Sequence, residues 1–110
     1  MKALLFLLSL LAAVPAAAQG NVIRIVVPFA AGGVQDIIAR SINAELGAAL
    51  GRSVIGENRP GAGGTVGTGS VAKAAPDGTT LVPAAASHTI AGSLYTKLAY
   101  DPIADFAGVA

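Results

Sequence analysis

The sequence predicts an α/β fold built around a mainly parallel sheet. Segments rich in β-branched residues alternate with segments whose apolar residues recur at three- and four-residue steps. Glycine-rich loops join the first two predicted strands to the helices that follow them. The connections are short enough for right-handed parallel crossovers. The resulting order, three strand–helix pairs in succession, is typical of an open parallel sheet.

Residues 1–18 have the features of a secretory signal peptide. Lys2 supplies the positive charge, Ala3–Val14 is an apolar run, and Ala16–Ala18 gives the small-residue pattern before a cleavage site. The run is too short for the roughly 30 Å hydrocarbon core of a bilayer. We therefore expect cleavage after Ala18 and an exported chain formed by residues 19–110.

The first strand and helix have the clearest patterns. Asn21–Pro28 is a β-branched run typical of a strand covered on both faces. After the loop Phe29–Gly33, a helix is predicted from about Gly33 to Leu50, with Gly51 as a left-handed helix stop. One face of this helix carries the apolar residues Val34, Ile37, Ile38, Ile42, Leu46, Ala49 and Leu50.

The remaining elements have weaker patterns. A second strand is predicted within Arg52–Glu57, followed by a glycine loop over Asn58–Gly64 and a short helix over Thr65–Ala74. The turn residues Pro76-Asp77-Gly78 precede a third strand over Thr79–Val82, where Pro83 disfavours further pairing. The last elements are a helix over Thr89–Leu98 and an apolar segment over Phe106–Ala110.

Composition excludes several functions. Only 12% of residues are charged and the net charge is +1, which argues against a nucleic-acid-binding surface. The chain has no Cys and one His, so disulfides, a thiolate nucleophile and Cys-ligated or multi-histidine metal sites are excluded. Gly67–Ala72 fits G-x-G-x-x-A but lies within a predicted helix, and no Lys completes a P-loop, so no nucleotide cofactor is indicated.

The two glycine loops are the candidate ligand sites. They follow strands at the carboxyl edge of the predicted sheet, where backbone N–H groups and helix dipoles attract anions. The glycines also fit a purely structural role in turns. Asp36, in the first turn of the first helix, is either an ordinary N-terminal acid or an organiser that holds the loop amides toward a ligand. Arg59 is able to bind an anion or to pair with Glu57 or Asp77.

Evidence for catalysis is thin. Ser87 and His88 are adjacent, but neighbouring side chains in a strand point to opposite faces, and no G-x-S-x-G motif is present. We therefore expect His88 to be a loop or helix-start residue.

Four segments together resemble the start of the Bug-type receptors of tripartite tricarboxylate transporters, which are extracytoplasmic solute-binding proteins. The segments are IRIVVPFAAGGVQDIIAR at 23–40, ENRPGAGG at 57–64, VAKAAPDG at 71–78 and SLYTKLAYDPIADF at 93–106. The resemblance covers essentially the whole chain after the predicted signal peptide. It implies a periplasmic-binding-protein-like (type II) lobe, in a receptor with two lobes that close on a small carboxylate.

The resemblance also implies a site and partners. The ligand would be a dicarboxylate, a tricarboxylate, an acidic amino acid or an aromatic acid, passed in the periplasm to membrane permease subunits without catalysis and without a cofactor. Backbone amides near Ala30–Gly33 would bind the carboxylate, with Asp36 bracing the loop and the segment at Ala86–His88 facing the same cleft. The implied ligand-binding residues are Phe29, Ala30, Ala31, Gly32, Gly33, Asp36, Ser87 and His88.

The chain is short for this family. Its receptors have about 300 residues, a two-domain length, so residues 19–110 would form the N-terminal part of the first lobe, without the second. We expect weak or undetectable ligand binding for such a piece, because the site would lack the second lobe that helps to bury the ligand. We also expect the piece to be marginally stable or aggregation-prone, because apolar faces and sheet edges would be left open. The alternatives are a non-functional product of a truncated gene and, less favoured, a fragment of a secreted hydrolase using Ser87 and His88.

Overall fold

The computed structural model of the chain describes residues 21–110. The predicted signal peptide, residues 1–18, lies outside the described residues. Within residues 21–110, no helix combines the length and the apolar character needed to span a bilayer.

A parallel three-stranded sheet organises the described part of the chain, which confirms the predicted α/β fold class. The strands are β1 (Val22–Val27), β2 (Ser53–Asn58) and β3 (Thr80–Leu81), in the spatial order β2-β1-β3. In the register, Val27 pairs with Asn58 and Ile25 pairs with Leu81. β1 is central, and its β-branched side chains are largely buried, as expected for a strand covered on both faces.

Helix α1 (Val34–Leu50) matches its prediction closely. It ends at Gly51, whose φ of 62° is the left-handed conformation expected for a helix stop. The N–H of Gly51 donates to Ala48 and the N–H of Arg52 donates to Gly47, which satisfies two carbonyls of the last turn. The sequence thus predicts both ends of this helix correctly.

The orientation of α1 differs from what its apolar stripe suggests. Asp36 and Ala39 are the buried residues of the helix, and Leu46 packs against the core. Most of the large apolar side chains point away from the sheet and are exposed, namely Val34, Ile37, Ile38, Ile42 and Leu50. The sheet-facing side of α1 thus carries Asp36, Ala39 and Leu46.

Helix α2 (Thr65–Ala72) begins directly after a 3-10 turn over Ala62–Gly64 and ends two residues earlier than predicted. It packs against β1. Gly67 permits this approach: a Cβ atom there would lie 2.6 Å from the Arg59 carbonyl oxygen and 2.9 Å from Cα of Pro28. The glycine-rich character of α2 therefore serves packing.

The third strand and helix depart most from the sequence prediction. β3 has only two residues, in agreement with the short strand that Pro83 indicates. Helix α3 spans Ala86–Leu94, so the predicted range Thr89–Leu98 is wrong at both ends. The helix stops early because Tyr95 adopts extended backbone angles, and its hydroxyl donates to the carbonyl of Ala62 at 3.3 Å. Residues 106–110 form no regular element.

The hydrophobic core lies between α1 and the sheet. Its buried members are Ile25, Val27 and Ala39. Phe29, Leu46, Val54 and Leu81 pack around them. The core therefore extends to the carboxyl end of β1, where it supports the loop that follows.

Candidate functional site

Three loops and three helix N-termini meet at one edge of the sheet. All strands are parallel, so the segments after β1, β2 and β3 leave from the same carboxyl edge. α1, α2 and α3 each begin after one of these segments. Since β1 is central and the chain crosses to β2 on one side and β3 on the other, the end of β1 is the switch point at which open α/β sheets bind ligands.

The first loop, Phe29–Gly33, is tightly turned. Gly32 has a φ of +86°, which disfavours a side chain, and the N–H of Gly33 donates to the carbonyl of Ala30 at 3.3 Å. Ala30, Ala31 and Gly32 are exposed. The loop thus presents backbone rather than side chains to solvent.

The Asp36 carboxylate is the centre of a hydrogen-bond network behind this loop. Oδ2 accepts the N–H of Gly32 at 2.9 Å, and Oδ1 accepts both Nε of Arg40 and Nδ2 of Asn58 at 2.9 Å. The side chain of Asp36 is only 5% exposed. The structure therefore places Asp36 in direct contact with the glycine loop; its effect on a ligand remains a prediction.

Asn58 and Arg40 complete the network. Nδ2 of Asn58 also donates to the carbonyl of Phe29 at 3.2 Å, and Nη2 of Arg40 donates to Oδ1 of Asn58 at 2.9 Å. The loop is thus held at Phe29 through Asn58 and at Gly32 through Asp36. We refer to Asp36, Arg40 and Asn58 as the loop brace.

The loop brace strongly favours the ionised form of Asp36. The hydrogen bond from Arg40, followed by those from the Gly32 amide and the Asn58 side chain, lowers the pKa of Asp36 from 3.8 to about 2. Arg40 also pairs ionically with Asp36, four residues earlier on the same helix. At neutral pH the carboxylate is charged, and its charge is offset by a guanidinium.

Donors for an anion remain at the start of α1. Among the described residues, the N–H groups of Ala30 and Ala31 have no protein acceptor. The N–H groups of Val34 and Gln35 have no intrahelical acceptor because they lie in the first turn of the helix. Gly33, the N-cap residue, has no side chain that could accept their hydrogen bonds. These groups and the positive end of the dipole of a 17-residue helix make this an anion-attracting position.

The predicted site residues divide by role in the structure. The side chain of Phe29 packs against the core, and its ring lies beside Gly64 of the second loop. The N–H groups of Gly32 and Gly33 are engaged within the loop and its brace. Ala30 and Ala31 are exposed, and their amides have no acceptor among the described residues.

Ser87 and His88 lie in the first turn of α3, at the same edge of the sheet. Nε2 of His88 is 2.9 Å from the carbonyl oxygen of Pro102, and Nδ1 is buried without a hydrogen-bond partner among the described residues. The ring stacks with Tyr100 and meets Phe106 edge-on. This geometry favours a packing role for the His88 ring, while the predicted ligand contact of Ser87 and His88 remains a prediction.

The second glycine loop is fixed by structural contacts. Arg59 pairs with Glu57 at 2.7 Å, which realises one of the two pairings expected from the sequence. Ala62 adopts a φ of +46°, and its carbonyl accepts the Tyr95 hydroxyl. A separate groove of about 410 Å³ lies between α2 and residues 95–100; its lining includes Ser70, Lys73, Tyr95, Lys97 and Tyr100.

Sequence reasoning missed Asn58 and Arg40 as members of the site. The spacing of Asp36 and Arg40, four residues apart on a helix, is a signal for the ion pair. The sequence pattern places Asn58 in a loop, whereas in the structure it is the last residue of β2, beside the end of β1. Within residues 21–110, no cluster of three or more His, Asp or Glu side chains is arranged to hold a metal ion.

The fold and the edge site define the class of the molecule: it has the α/β architecture of periplasmic binding proteins. It is similar in structure to the periplasmic binding protein BugD, with a TM-score of 0.73 and 45% identity over 77% of this chain and 28% of that protein. Residues 38–110 match the family described as "Tripartite tricarboxylate transporter family receptor". The chain belongs to this family.

Two further structures were determined with carboxylates bound. MatC from Rhodopseudomonas palustris, solved with malate, is 48% identical with a TM-score of 0.72 over 77% of this chain and 29% of that one. An R. palustris protein solved with adipate is 36% identical with a TM-score of 0.68 over 73% of this chain and 27% of that one.

A curated relative shows the same partial coverage. The UPF0065 protein in the TAR-I ttuE-ttuC' intergenic region of Agrobacterium vitis is 44% identical over 87 residues, which are 79% of this chain and 25% of the relative. The chain therefore spans about a quarter of the length of the relatives it matches.

Proposed function

We propose that the chain forms the carboxylate-binding side of an extracytoplasmic receptor, with Ala30, Ala31 and the N-terminus of α1 as the anion-binding groups. The observation that carries the proposal is the braced loop in front of an uncapped helix N-terminus, at the switch point of the sheet. Backbone N–H groups fixed in advance bind a carboxylate without the cost of ordering a loop. Malate and adipate in the related structures support this chemistry.

The site acts by binding and not by catalysis. Neither ring nitrogen of His88 is open to a substrate, because one contacts Pro102 and the other is buried in the aromatic cluster. A Ser87–His88 nucleophile pair therefore finds no support. The ordered backbone and the offset charge of Asp36 suit reversible capture of an anion.

Membership of the family supports a role in transport. Receptors of tripartite transporters deliver solutes to membrane subunits, so we infer that the complete receptor works in the periplasm with permease partners. The predicted signal peptide, residues 1–18, is consistent with that location. Dicarboxylates, tricarboxylates, acidic amino acids and aromatic acids share the carboxylate group that backbone N–H groups at a helix N-terminus bind, so the proposal includes all of them.

The substitution Val34→Asp should weaken ligand binding without destabilising the fold. Val34 is 67% exposed and is the first residue of α1. A carboxylate there stabilises a helix N-terminus by about 0.3–1 kcal/mol but repels an anion bound to the same N–H groups. Ile103→Asp, at an 86% exposed position in another turn, is the matched control.

Thermal unfolding with increasing malate or adipate measures the effect, because a ligand that binds only the folded state raises the melting temperature. We expect Val34→Asp to lower the affinity for both ligands about fivefold or more, while Ile103→Asp leaves both affinities unchanged. Dimethyl malate, which lacks the charge, should have no effect. If malate, adipate and the ester behave alike, or if Val34→Asp binds as well as the unchanged chain, the proposed site is wrong.

A further inference from the structure

We propose that Asn58 and Arg40 are positioning residues of the carboxylate site: Asn58 holds the loop, and Arg40 offsets the charge of Asp36 so that it does not repel the ligand. This inference rests on the proposed function for its ligand part. Neither residue belongs to the loop or to the helix N-terminus that would touch the ligand.

The first argument is connectivity. The loop Phe29–Gly33 has two anchors to the brace, the Phe29 carbonyl and the Gly32 amide. Asn58 reaches the first directly and the second through Asp36, so a single amide links the end of β2 to both ends of the turn. An amide has the donor and acceptor groups that this requires, since it donates two hydrogens and accepts at its oxygen.

The second argument is electrostatic. A buried carboxylate behind an anion site lowers the affinity of that site, because like charges repel at short range. Asp36 nevertheless accepts three hydrogen bonds, and these favour its ionised form. Nε of Arg40 at 2.9 Å resolves this conflict by adding a positive charge beside the negative one.

The third argument is that Arg40 lies against β2. A Cβ atom built at Gly56 would be 3.9 Å from Cγ and Cζ of Arg40, an ordinary contact distance, so the arginine side chain lies beside this residue of β2. The side chain is 51% exposed, yet it reaches two brace partners with distances of 2.9 Å. Arg40 therefore connects α1 with the end of β2 through its contacts with Asp36 and Asn58.

The rate of hydrogen exchange at the Gly32 amide, measured by NMR in the absence of ligand, tests whether these residues hold the loop in place. We expect Asn58→Ala and Arg40→Gln to speed this exchange about tenfold, the effect of losing about 1.4 kcal/mol from a charge-assisted bond. The amide of Ala39 in the core should not change. Asn43→Ala is the matched control, because Asn43 is a half-buried residue of α1 next to Gly56 that does not touch the loop.

Arg40→Gln keeps the test decisive if Asn58→Ala unfolds the chain, since the Arg40 side chain is half exposed. Unchanged Gly32 exchange in Arg40→Gln overturns the proposal. It is also overturned if Asn43→Ala speeds Gly32 exchange as much as the brace variants do.

Ligand charge tests the electrostatic part. Adipate and monomethyl adipate have the same chain length but differ by one carboxylate. We expect Arg40→Gln to raise the dissociation constants of both ligands. The fold increase for adipate should be about two to three times the fold increase for the monoester. Equal losses contradict charge compensation. If neither compound binds the unchanged chain, the proposed function fails, whereas the Gly32 exchange still decides the role of the brace.

Discussion

At the scale of single residues, Asp36 combines two opposed electrostatic effects. Its charge favours the N-terminus of α1 and braces the Gly32 amide, but the same charge is unfavourable beside a bound carboxylate. The contact with Arg40 reconciles these effects. Asp36 is thus useful to an anion site only as part of the loop brace.

Acid should lower the free energy of unfolding, because it protonates Asp36. Because its pKa is 3.8 in the absence of the fold and about 2 within it, the unfolded chain binds the proton more readily. The stabilisation is complete above pH 4 or so and is lost as the pH falls toward about 2. We expect Asp36→Asn to reduce the slope of unfolding free energy against pH in this window, measured by denaturant titrations at several pH values.

Other carboxylates provide the control for that measurement. The pKa of Asp77 is lowered by hydrogen bonds from Thr79, and the pKa of Asp101 is lowered by the amides of Ala104 and Ile103. Asp77→Asn should therefore remove a separate part of the slope and leave the Gly32 amide unaffected. An unchanged acid slope in Asp36→Asn would show that the brace does not depend on the ionised carboxylate.

The residues of the site differ in how far the sequence reveals them. A carboxylate in the first helical turn after a glycine loop is either a helix-terminal acid or a loop organiser, so the sequence places Asp36 beside the loop without fixing its role. The i, i+4 spacing of Asp36 and Arg40 is a signal for their ion pair, although the sequence analysis did not assign Arg40 to the site. Asn58 is not predictable in its role, because its contacts depend on the pairing of β2 with β1, which no local pattern encodes.

At the scale of elements, Gly67 allows α2 to pack closely against Pro28 and Arg59. Alanine normally stabilises a helix relative to glycine, but a Cβ at Gly67 would lie 2.9 Å from Cα of Pro28. We expect Gly67→Ala to lower the free energy of unfolding by about 1–3 kcal/mol, the usual cost of overpacking. Chemical denaturation of the two chains measures this difference in the free energy of unfolding.

Gly92→Ala in α3 is the matched substitution. Its Cβ would lie 3.4 Å from the Pro102 ring, an ordinary contact, so helix propensity should dominate and stability should rise by up to about 1 kcal/mol. The same sign for both variants would contradict the close packing of α2 on Pro28.

The predictability of the elements follows their local signals. β1 and α1 have dense β-branched and helical patterns, and Gly51 gives α1 a defined end. α3 has neither a capping side chain at its start nor a glycine at its end. Its end is set by the contact between Tyr95 and Ala62, which are distant in sequence, so periodicity alone misplaces it.

At the scale of the whole molecule, α1 leaves an apolar stripe open. Ile37, Ile38 and Ile42 are 60%, 53% and 45% exposed. Contiguous exposed apolar patches promote association. We expect the chain to self-associate as its concentration rises and Ile37→Lys with Ile38→Gln to keep it monomeric, measured by sedimentation velocity. A chain that stays monomeric without these substitutions would contradict this expectation.

The central claim is that a carboxylate binds where β1 ends and α1 begins. An NMR titration of the ¹⁵N-labelled chain with malate tests it most directly, because amide shifts report even weak, millimolar binding at each residue. We predict the largest shifts at the amides of Ala30, Ala31 and Val34, with none on addition of dimethyl malate. Shifts confined to the groove of Lys73 and Lys97, or the absence of any shift, would contradict the account.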